Sequence, residues 1–223
     1  MSFGKESPVV LEPQQTLGSA VVLMHGLGAD GNDFVPIAPM LDLPNTRFVF
    51  PNAQVMPVTI NGGMPMRAWF DITAVEIGGR RSLGESMGQI QEAVQYVHEL
   101  ANEQVAAGVP AEKVIFAGFS QGGVIALLAG LTWDKPSAGI LALSTYFTPE
   151  LLVDPWPQQP KVYMTHGQYD DVIPLTRAED GYKTLKDSGV DIQFHTYPMG
   201  HEVTPTEIAE FREWLHSRMV ETL

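Results

Sequence analysis

Apolar and polar positions alternate along this chain in two patterns. Short, continuously apolar runs rich in β-branched and aromatic residues recur, and longer segments rich in helix-forming residues lie between several of them. Runs of the first kind predict strands that are buried on both faces, and segments of the second kind predict helices. The predicted strands cover residues 21–24, 47–50, 113–117, 139–143, 161–164 and about 192–197.

The helix predictions rest on periodicity and on capping residues. A short helix is predicted over 33–41, and further helices over about 123–130 and 177–186. Ser82 and Glu85 fit a capping box, so a long helix is predicted to begin at Ser82 and to end before 108–110. The last helix has a second capping pattern, with Thr204 at the N-cap, Pro205 at the first position and Glu207 three residues after the cap. Residues 51–81 are predicted to form a long loop, and loops of that length are usually functional.

This alternation of elements predicts an α/β fold. Strands that alternate with helices form a mostly parallel sheet with helices on both faces. A chain of 223 residues is long enough for one domain with a sizeable core, so residues 1–223 are expected to form a single domain. In such sheets ligands bind beyond the carboxyl ends of the strands, where the polar residues that follow each strand meet.

The segment "AGFSQGG", residues 117–123, places Ser120 between glycines directly after a predicted strand and before a predicted helix. Glycine allows backbone angles and close approaches that other residues do not. The spacing Gly-x-Ser-x-Gly in this setting is typical of a nucleophile held on a sharp strand-to-helix turn. The alternative is a glycine-rich turn with an incidental serine.

Two further polar segments follow later strands. "THGQYDDVIP" contains the adjacent acids Asp170 and Asp171, and "PMGHEVTP" contains His201. A serine needs a base to remove its proton, and the base needs an acid to orient it. Serine, acid and histidine in this chain order predict a hydrolase triad, although the residues alone do not choose between the two acids.

The other histidines have simpler interpretations. His25 and His166 also follow predicted strands, and we interpret both as structural groups that bond loop backbone, because the base comes last in the triad order. Acyl transfer also needs two backbone N–H groups aimed at the developing oxyanion. The residue after the nucleophile, Gln121, should supply one, and Leu27 within a glycine-rich loop is the candidate for the other.

Composition narrows the range of partners. The net charge of −13 disfavours nucleic acid and anionic membranes as partners. Without cysteine the chain has neither disulfides nor thiolate metal sites. The N-terminal segment has no apolar signal region, and no apolar stretch has the length of a membrane span. We therefore expect a cytoplasmic protein without stable membrane insertion, acting on a small molecule without a metal or other cofactor, and a homodimer stays open.

Several motifs together resemble a known family. They are "LMHGLGADGNDF", "NGGMPMRAWFDI", "AGFSQGG", "LSTY", "HGQYDDVIP" and "MGHE". This combination, spread over nearly the whole chain, is similar to the small bacterial carboxylesterases of the phospholipase/carboxylesterase family, which also contains acyl-protein thioesterases and lysophospholipases. The resemblance implies an α/β-hydrolase fold without a large cap domain. By motif position it implies Ser120 as nucleophile, Asp170 as acid and His201 as base, with Leu27 and Gln121 as oxyanion donors.

The resemblance also implies a substrate pocket bordered by the loop that contains Met64, Met66 and Trp69. The chain departs from several relatives at Asp171, where they have proline. The expected function is a serine carboxylesterase acting on small to medium carboxylic esters, with thioesters and lysophospholipids as further substrates to consider. An amide or peptide hydrolase on the same fold, and a non-catalytic binding protein, are the alternatives.

Overall fold

The computed structural model describes residue 3 and residues 6–77, 80–151 and 156–219, with backbone only for 74–77 and 80–85. These residues contain eleven strands. In chain order the strands are β1 (Val9–Leu11), β2 (Ser19–Met24), β3 (Thr46–Phe50), β4 (Gln54–Val58), β5 (Met64–Ala68), β6 (Ile72–Ile77), β7 (Arg80–Glu85), β8 (Val114–Phe119), β9 (Gly139–Leu143), β10 (Val162–Gly167) and β11 (Ile192–Tyr197).

Seven of these strands form one sheet in the order β1-β3-β2-β8-β9-β10-β11. Only β1 is antiparallel to its neighbour, and every other adjacent pair in this sheet is parallel. The predicted mostly parallel sheet is therefore confirmed. Because the parallel strands share one direction, the loops that follow β2, β8, β10 and β11 emerge at the same edge of the sheet.

Helices cover both faces of the sheet, as predicted. The part of the chain that the structure describes has four α-helices, α1 (Met87–Ala106), α2 (Gln121–Thr132), α3 (Leu175–Asp187) and α4 (Pro205–Met219). The helices α1, α2 and α3 pack in one apolar cluster with one side of the sheet, and α4 packs in a second cluster with the other side. Helix α2 is buried at every position but its last, which matches its position against the centre of the sheet. Within the described ranges, none of the helices combines the length and the apolarity needed to cross a membrane.

The predicted helix over 33–41 is wrong for most of its length. The structure has turns there, followed by a 3₁₀-helix at Ala38–Leu41. Pro36 and Pro39 lie within the segment, and each lacks the N–H that a continuous α-helix would use. The segment still buries Phe34, Ala38 and Leu41 against the face of the sheet that α4 covers.

The predicted loop over 51–81 is also wrong, because it contains two antiparallel hairpins, although residues 78 and 79 lie outside the described residues. Strands β4 and β5 pair around Gly62 and Gly63, whose positive φ angles of 69° and 76° allow the tight connection. Strands β6 and β7 form the second hairpin.

The helix predicted to begin at Ser82 starts later. Ser82 and Glu85 lie in β7, where they pair with Val75 and Ile72 of β6, and α1 begins at Met87. Strand pairing therefore replaces the local capping pattern at this point. Strand β1, which the sequence analysis did not predict, forms the antiparallel edge of the large sheet.

Candidate active site

Ser120 lies on the turn between β8 and α2, with φ 54° and ψ −120°. This conformation is rare for a residue with a side chain. The glycines at both sides of the turn permit close backbone approaches. A Cβ atom at Gly118 would lie 2.2 Å from the carbonyl oxygen of Gly122, and one at Gly122 would lie 2.3 Å from the carbonyl oxygen of Met24. The spacing of glycines around Ser120 thus has a steric cause.

The structure brings the three predicted triad residues together. His201 Nε2 lies 2.9 Å from Ser120 Oγ, and His201 Nδ1 lies 2.7 Å from Asp170 Oδ2. The ring of Phe119 packs against the imidazole, with centroids 4.8 Å apart. With Nδ1–H donating to the carboxylate, Nε2 is left to accept the hydroxyl proton of Ser120. The three groups form a continuous hydrogen-bonded chain.

Asp170 and Asp171 occupy different environments on the loop after β10. The side chain of Asp170 is fully buried, and its Oδ1 accepts hydrogen bonds from the backbone N–H groups of Val172 and Ile173. Asp171 is exposed. Of the two acids that the residues alone left open, the geometry places Asp170 against His201.

The loops that hold Asp170 and His201 are joined by their backbones. Gln168 N–H donates to the carbonyl oxygen of Tyr197 at 2.8 Å, and Tyr169 N–H donates to that of Met199 at 3.0 Å. A Cβ at Gly167 would lie 2.2 Å from the Gly200 carbonyl oxygen, so the backbones of the two loop segments are in contact there. These contacts fix the distance between acid and base.

The predicted capping box at the start of α4 is present. Thr204 N–H donates to Glu207 Oε2, and Glu207 N–H donates to Thr204 Oγ1. Glu207 is fully buried and its Oε1 accepts a hydrogen bond of 2.5 Å from Thr165 Oγ1 in β10. Burial raises the pKa of Glu207 to about 7, against the opposing effect of these hydrogen bonds. This carboxyl therefore links the base loop to the strand that precedes the acid.

His166 holds the loop that carries Asp170 by a hydrogen bond to its backbone. Its Nε2–H donates to the carbonyl oxygen of Ile173 at 2.8 Å, and the same nitrogen lies 3.4 Å from Asp170 Oδ2. Burial lowers the pKa of His166, which keeps the ring neutral. The sequence-based interpretation of this histidine as a structural group that bonds loop backbone is confirmed.

The two expected oxyanion donors lie near Ser120, one next to it in the chain and one on the loop after β2. Gln121 N–H is the first of α2 and so has no acceptor within the helix. Leu27 N–H donates to none of the residues that the structure describes. A Cβ at Gly26 would lie 3.4 Å from Ser120 Cβ, so the loop after β2 runs directly beside the nucleophile.

His25 fixes that loop from inside the protein. Its Nδ1–H donates to the carbonyl oxygen of Gly26 at 2.7 Å, and its Nε2 accepts from Ala53 N–H at 3.0 Å. Burial lowers the pKa of His25, which favours the neutral tautomer that both bonds require. His25 is therefore a structural group, as interpreted from the sequence.

The side chain of Gln121 has contacts that the sequence analysis missed. Its Oε1 accepts from Trp69 N–H at 2.9 Å, and its Nε2 donates to the carbonyl oxygen of Phe70 at 2.8 Å. The indole N–H of Trp69 in turn donates to the carbonyl oxygen of His25. A buried amide can satisfy distant backbone in this way, but no local pattern in the sequence reveals which partners it finds.

The three predicted pocket residues do not occupy equivalent positions. On the β4–β5 hairpin, Met64 is 62% exposed and Met66 is half-buried, packed on the same apolar cluster as Leu27. Trp69 is fully buried and stacks near Phe3 and His25. The structure therefore places Trp69 behind the site, as a support for the loop after β2, and not on its accessible surface.

In this arrangement Ser120 Oγ can attack a carbonyl carbon, His201 can transfer a proton, and nearby backbone N–H groups can stabilise an oxyanion. The sequence profile of the phospholipase/carboxylesterase family matches residues 5–219. The chain belongs to the phospholipase/carboxylesterase family. The family that the sequence motifs indicated is thus confirmed.

Relatives in this family align with nearly the whole chain. Acyl-protein thioesterase 1 of Gibberella zeae is 33% identical over 233 aligned positions, which cover 98% of each chain. The carboxylesterase SOBER1 of Arabidopsis thaliana is 30% identical, with 89% of this chain and 90% of SOBER1 covered.

Solved structures give the same result. The crystal structure of SOBER1 superposes with a TM-score of 0.81 at 28% identity, covering 90% of this chain and 99% of SOBER1. Esterase PE8 superposes with a TM-score of 0.81 at 27% identity, covering 98% and 100% of the two chains. The protein therefore has the α/β-hydrolase fold and is a carboxylic ester hydrolase of the phospholipase/carboxylesterase family.

Proposed function

We propose that the protein is a serine carboxylesterase that hydrolyses small to medium carboxylic esters through an acyl-enzyme on Ser120. The observation that supports this most directly is the hydrogen-bonded chain from Asp170 through His201 to Ser120, with distances of 2.7 and 2.9 Å. These distances lie within the reach of proton transfer in a ground-state enzyme.

Acylation begins when Ser120 Oγ attacks the ester carbonyl carbon while His201 Nε2 takes the hydroxyl proton. The carbonyl π electrons move onto its oxygen, where Leu27 N–H and Gln121 N–H stabilise the negative charge. Asp170 holds the imidazole in the Nδ1–H tautomer and stabilises the imidazolium that forms. When the intermediate collapses, the carbon–oxygen bond to the alcohol breaks and His201 gives its proton to the leaving oxygen.

Deacylation repeats these steps with water. His201 Nε2 takes a proton from a water molecule, whose oxygen attacks the acyl carbon, and the same two N–H groups stabilise the second oxyanion. Collapse of this intermediate breaks the bond to Ser120 Oγ, which recovers its proton from His201. The carboxylic acid is released and the enzyme returns to its initial state.

The β4–β5 hairpin supports a preference for apolar acyl or alcohol groups. Met66 packs on the same apolar cluster as Leu27, Met64 is exposed on the same hairpin, and methionine side chains adapt to ligands of different shape. A flexible apolar border suits a range of small to medium esters better than one polar substrate.

Thioesters are the second substrate class that we consider. The relative from Gibberella zeae, which aligns over 98% of both chains, is named acyl-protein thioesterase 1. The same oxyanion stabilisation serves an ester and a thioester, because both develop the negative charge on the carbonyl oxygen. Parallel assays with an oxygen ester and its thioester of equal acyl length measure the preference directly.

We also propose a cytoplasmic, single-domain enzyme whose substrates are small molecules. The net charge of −13 supports only the choice of partner, because it disfavours nucleic acid and anionic lipid surfaces. The proposed site needs no second copy of the chain, because its triad residues come from one chain, and a homodimer stays open. Size-exclusion chromatography with light scattering determines the oligomeric state.

Substitution of the nucleophile tests the proposed function. Ser120→Ala should fold normally, lose covalent labelling by a fluorophosphonate probe and lose kcat by a factor that approaches about 10⁶ on an activated ester such as p-nitrophenyl butyrate. Ser188→Ala is a matched control, because Ser188 is exposed at the end of α3. The control should label and turn over like the unchanged enzyme. Near-normal activity in Ser120→Ala would show that the nucleophile has been misassigned.

A further inference from the structure

Thr145 makes a contact with the nucleophile turn that the proposed mechanism does not use. The residue follows β9, is fully buried, and donates from Oγ1 to the carbonyl oxygen of Ser120 at 2.7 Å. Gly123 N–H donates to the same oxygen at 2.9 Å. The carbonyl oxygen of Ser120 therefore has two donors, one from its own helix and one from a neighbouring strand end.

The peptide that carries this oxygen also carries a candidate oxyanion donor. The carbonyl of Ser120 and the N–H of Gln121 belong to one peptide group. Because a peptide is planar and trans, its oxygen and its N–H point in opposite directions within a rigid unit. A hydrogen bond that fixes the oxygen therefore fixes the direction of Gln121 N–H. It also polarises the peptide, which makes the N–H a better donor.

The local backbone needs this external contact. Ser120 has φ 54°, a conformation that is unfavourable for a residue with a side chain and persists only when the surroundings hold it. Thr145 also packs closely against the turn, since a Cβ at Gly123 would lie 2.5 Å from Thr145 Cβ. Thr145 thus contacts the turn through both its hydroxyl and its carbon atoms.

The second candidate donor is held in the same way. Leu27 N–H shares a peptide with the carbonyl of Gly26, and that oxygen accepts the 2.7 Å hydrogen bond from His25 Nδ1–H. Both donor peptides are therefore anchored through their carbonyl oxygens by buried side chains. The two anchors come from different parts of the chain, so the parallel does not arise from a single local motif.

We propose that Thr145 is a positioning residue for the oxyanion hole, which it orients by holding the Ser120–Gln121 peptide through its carbonyl oxygen. The proposal rests on the proposed function, because it takes Gln121 N–H as an oxyanion donor. It assigns the Thr145 hydroxyl to transition-state stabilisation and not to substrate binding.

Thr145→Val and Thr145→Ser separate the hydroxyl from the shape of the side chain. Valine keeps the branched shape without the donor, and serine keeps the donor. Loss of a whole oxyanion donor costs about 10²- to 10³-fold in kcat, so a donor that stays but loses its orientation should cost about 10- to 100-fold. Thr145→Val should show this loss in kcat on p-nitrophenyl butyrate, with KM changed less than about twofold. Thr145→Ser should keep most of the activity.

A trifluoromethyl ketone inhibitor provides the readout that a merely structural role would not change. It forms a tetrahedral adduct with the nucleophile and places an oxyanion in the hole. Its inhibition constant should rise in Thr145→Val in proportion to the loss of kcat/KM. If Thr145→Val folds poorly, Thr145→Ala and Thr145→Ser form a second pair that differs by the hydroxyl oxygen alone, and the serine variant should be the more active.

A kcat for Thr145→Val within twofold of the unchanged enzyme would overturn the proposal, as would equal losses in the alanine and serine variants. A loss confined to KM would also overturn it. Ser120→Ala, assayed beside them, distinguishes a failure of the proposed function from a failure of the role given to Thr145. If Ser120→Ala is inactive and Thr145→Val is normal, the proposed function stands and only the role of Thr145 fails.

Discussion

At the scale of single residues, the site depends on the direction in which adjacent side chains point. Asp170 and Asp171 are neighbours on one loop, yet the first is buried against His201 and the second is exposed. Two backbone N–H groups, from Val172 and Ile173, hold Asp170 Oδ1 and so aim Oδ2 at the imidazole. The negative charge on Asp171 lies in solvent, where it is screened.

This difference predicts the outcome of a matched pair of substitutions. Asp170→Asn should keep the shape but favour the wrong imidazole tautomer, with a loss in kcat of up to about 10⁴ as in serine proteases. Asp171→Asn should cost less than about tenfold. Both are measured as kcat on one activated ester at pH 7.5. If Asp171→Asn were the inactive variant, the proposed acid would be wrong.

Some site residues could be predicted from the sequence because their signals are local. Ser120 follows from the glycine spacing and His201 from its position after the last strand, since the carboxyl ends of parallel strands meet at one edge. Thr145 and the side chain of Gln121 could not be predicted in this way. Their partners lie on other loops and strands, and nothing near either residue in the chain specifies which backbone atoms it will meet.

At the scale of elements, the unit formed by β8, the turn and α2 tolerates little change. Ser120 N–H bonds to Leu143 at the end of β9, and Gly122 lies against the backbone of β2 and of the loop after it. The nucleophile turn is therefore packed between two neighbouring strands. Its precision derives from steric contacts with backbone, which cannot move aside as a side chain can.

Gly122→Ala should disturb this unit strongly. The added Cβ would lie 2.3 Å from the Met24 carbonyl oxygen and 2.5 Å from that of His25, so the strand before Leu27 must shift. We expect the free energy of unfolding to fall by about 1–3 kcal/mol, together with a loss of kcat. Urea unfolding and esterase assays measure the two effects.

Gly88→Ala is the matched control for this substitution. Gly88 is exposed in the first turn of α1, and a Cβ there would meet nothing within 4 Å. Alanine should raise the free energy of unfolding by about 0.5 kcal/mol, because it loses less conformational entropy in a helix than glycine. Equal destabilisation by both variants would contradict the steric explanation.

Element predictions succeeded where buried strands alternate with helices and failed where tertiary pairing decided the structure. The apolar runs of β2, β8, β9 and β10 are strands because only the interior of a sheet can bury them on both faces. The segment after β3 has several Pro, Gly and Asn residues, which predict a loop. Its hairpins form because each strand pairs with the next one along the chain, as when Ser82 pairs with Val75 despite a local capping pattern.

At the scale of the whole molecule, buried ionisable groups make stability depend on pH in opposite directions. Burial raises the pKa of Glu207 from 4.5 to about 7, so the native protein binds a proton there more tightly than the unfolded chain does. This group alone makes stability fall as pH rises from about 4.5 to about 7. Burial lowers the pKa of His25, His98 and His166, and these groups make stability fall as pH drops below 6.5, the pKa of an unperturbed histidine.

Glu207→Gln isolates the first effect, because glutamine fills the same space without titrating. The free energy of unfolding of the unchanged protein, minus that of the variant, should decrease by about 3 kcal/mol between pH 4.5 and pH 8. The histidine contributions cancel in this difference. Urea unfolding of both proteins at pH 4.5, 6, 7 and 8 measures it, and a difference that stays constant across this range would contradict a raised pKa for Glu207.

The hairpin next to the proposed site and the three triad residues come from different parts of the chain. The loop after β2 and the β4–β5 hairpin come before β8, whereas Ser120, Asp170 and His201 all come after its start. The hairpin packs onto the rest of the molecule at Leu27 and leaves Met64 at the surface. In the proposed enzyme, a duplicated gene can therefore acquire a new substrate by changes within one early hairpin. Such changes leave the codons for Ser120, Asp170 and His201 unaltered, because these residues lie later in the gene.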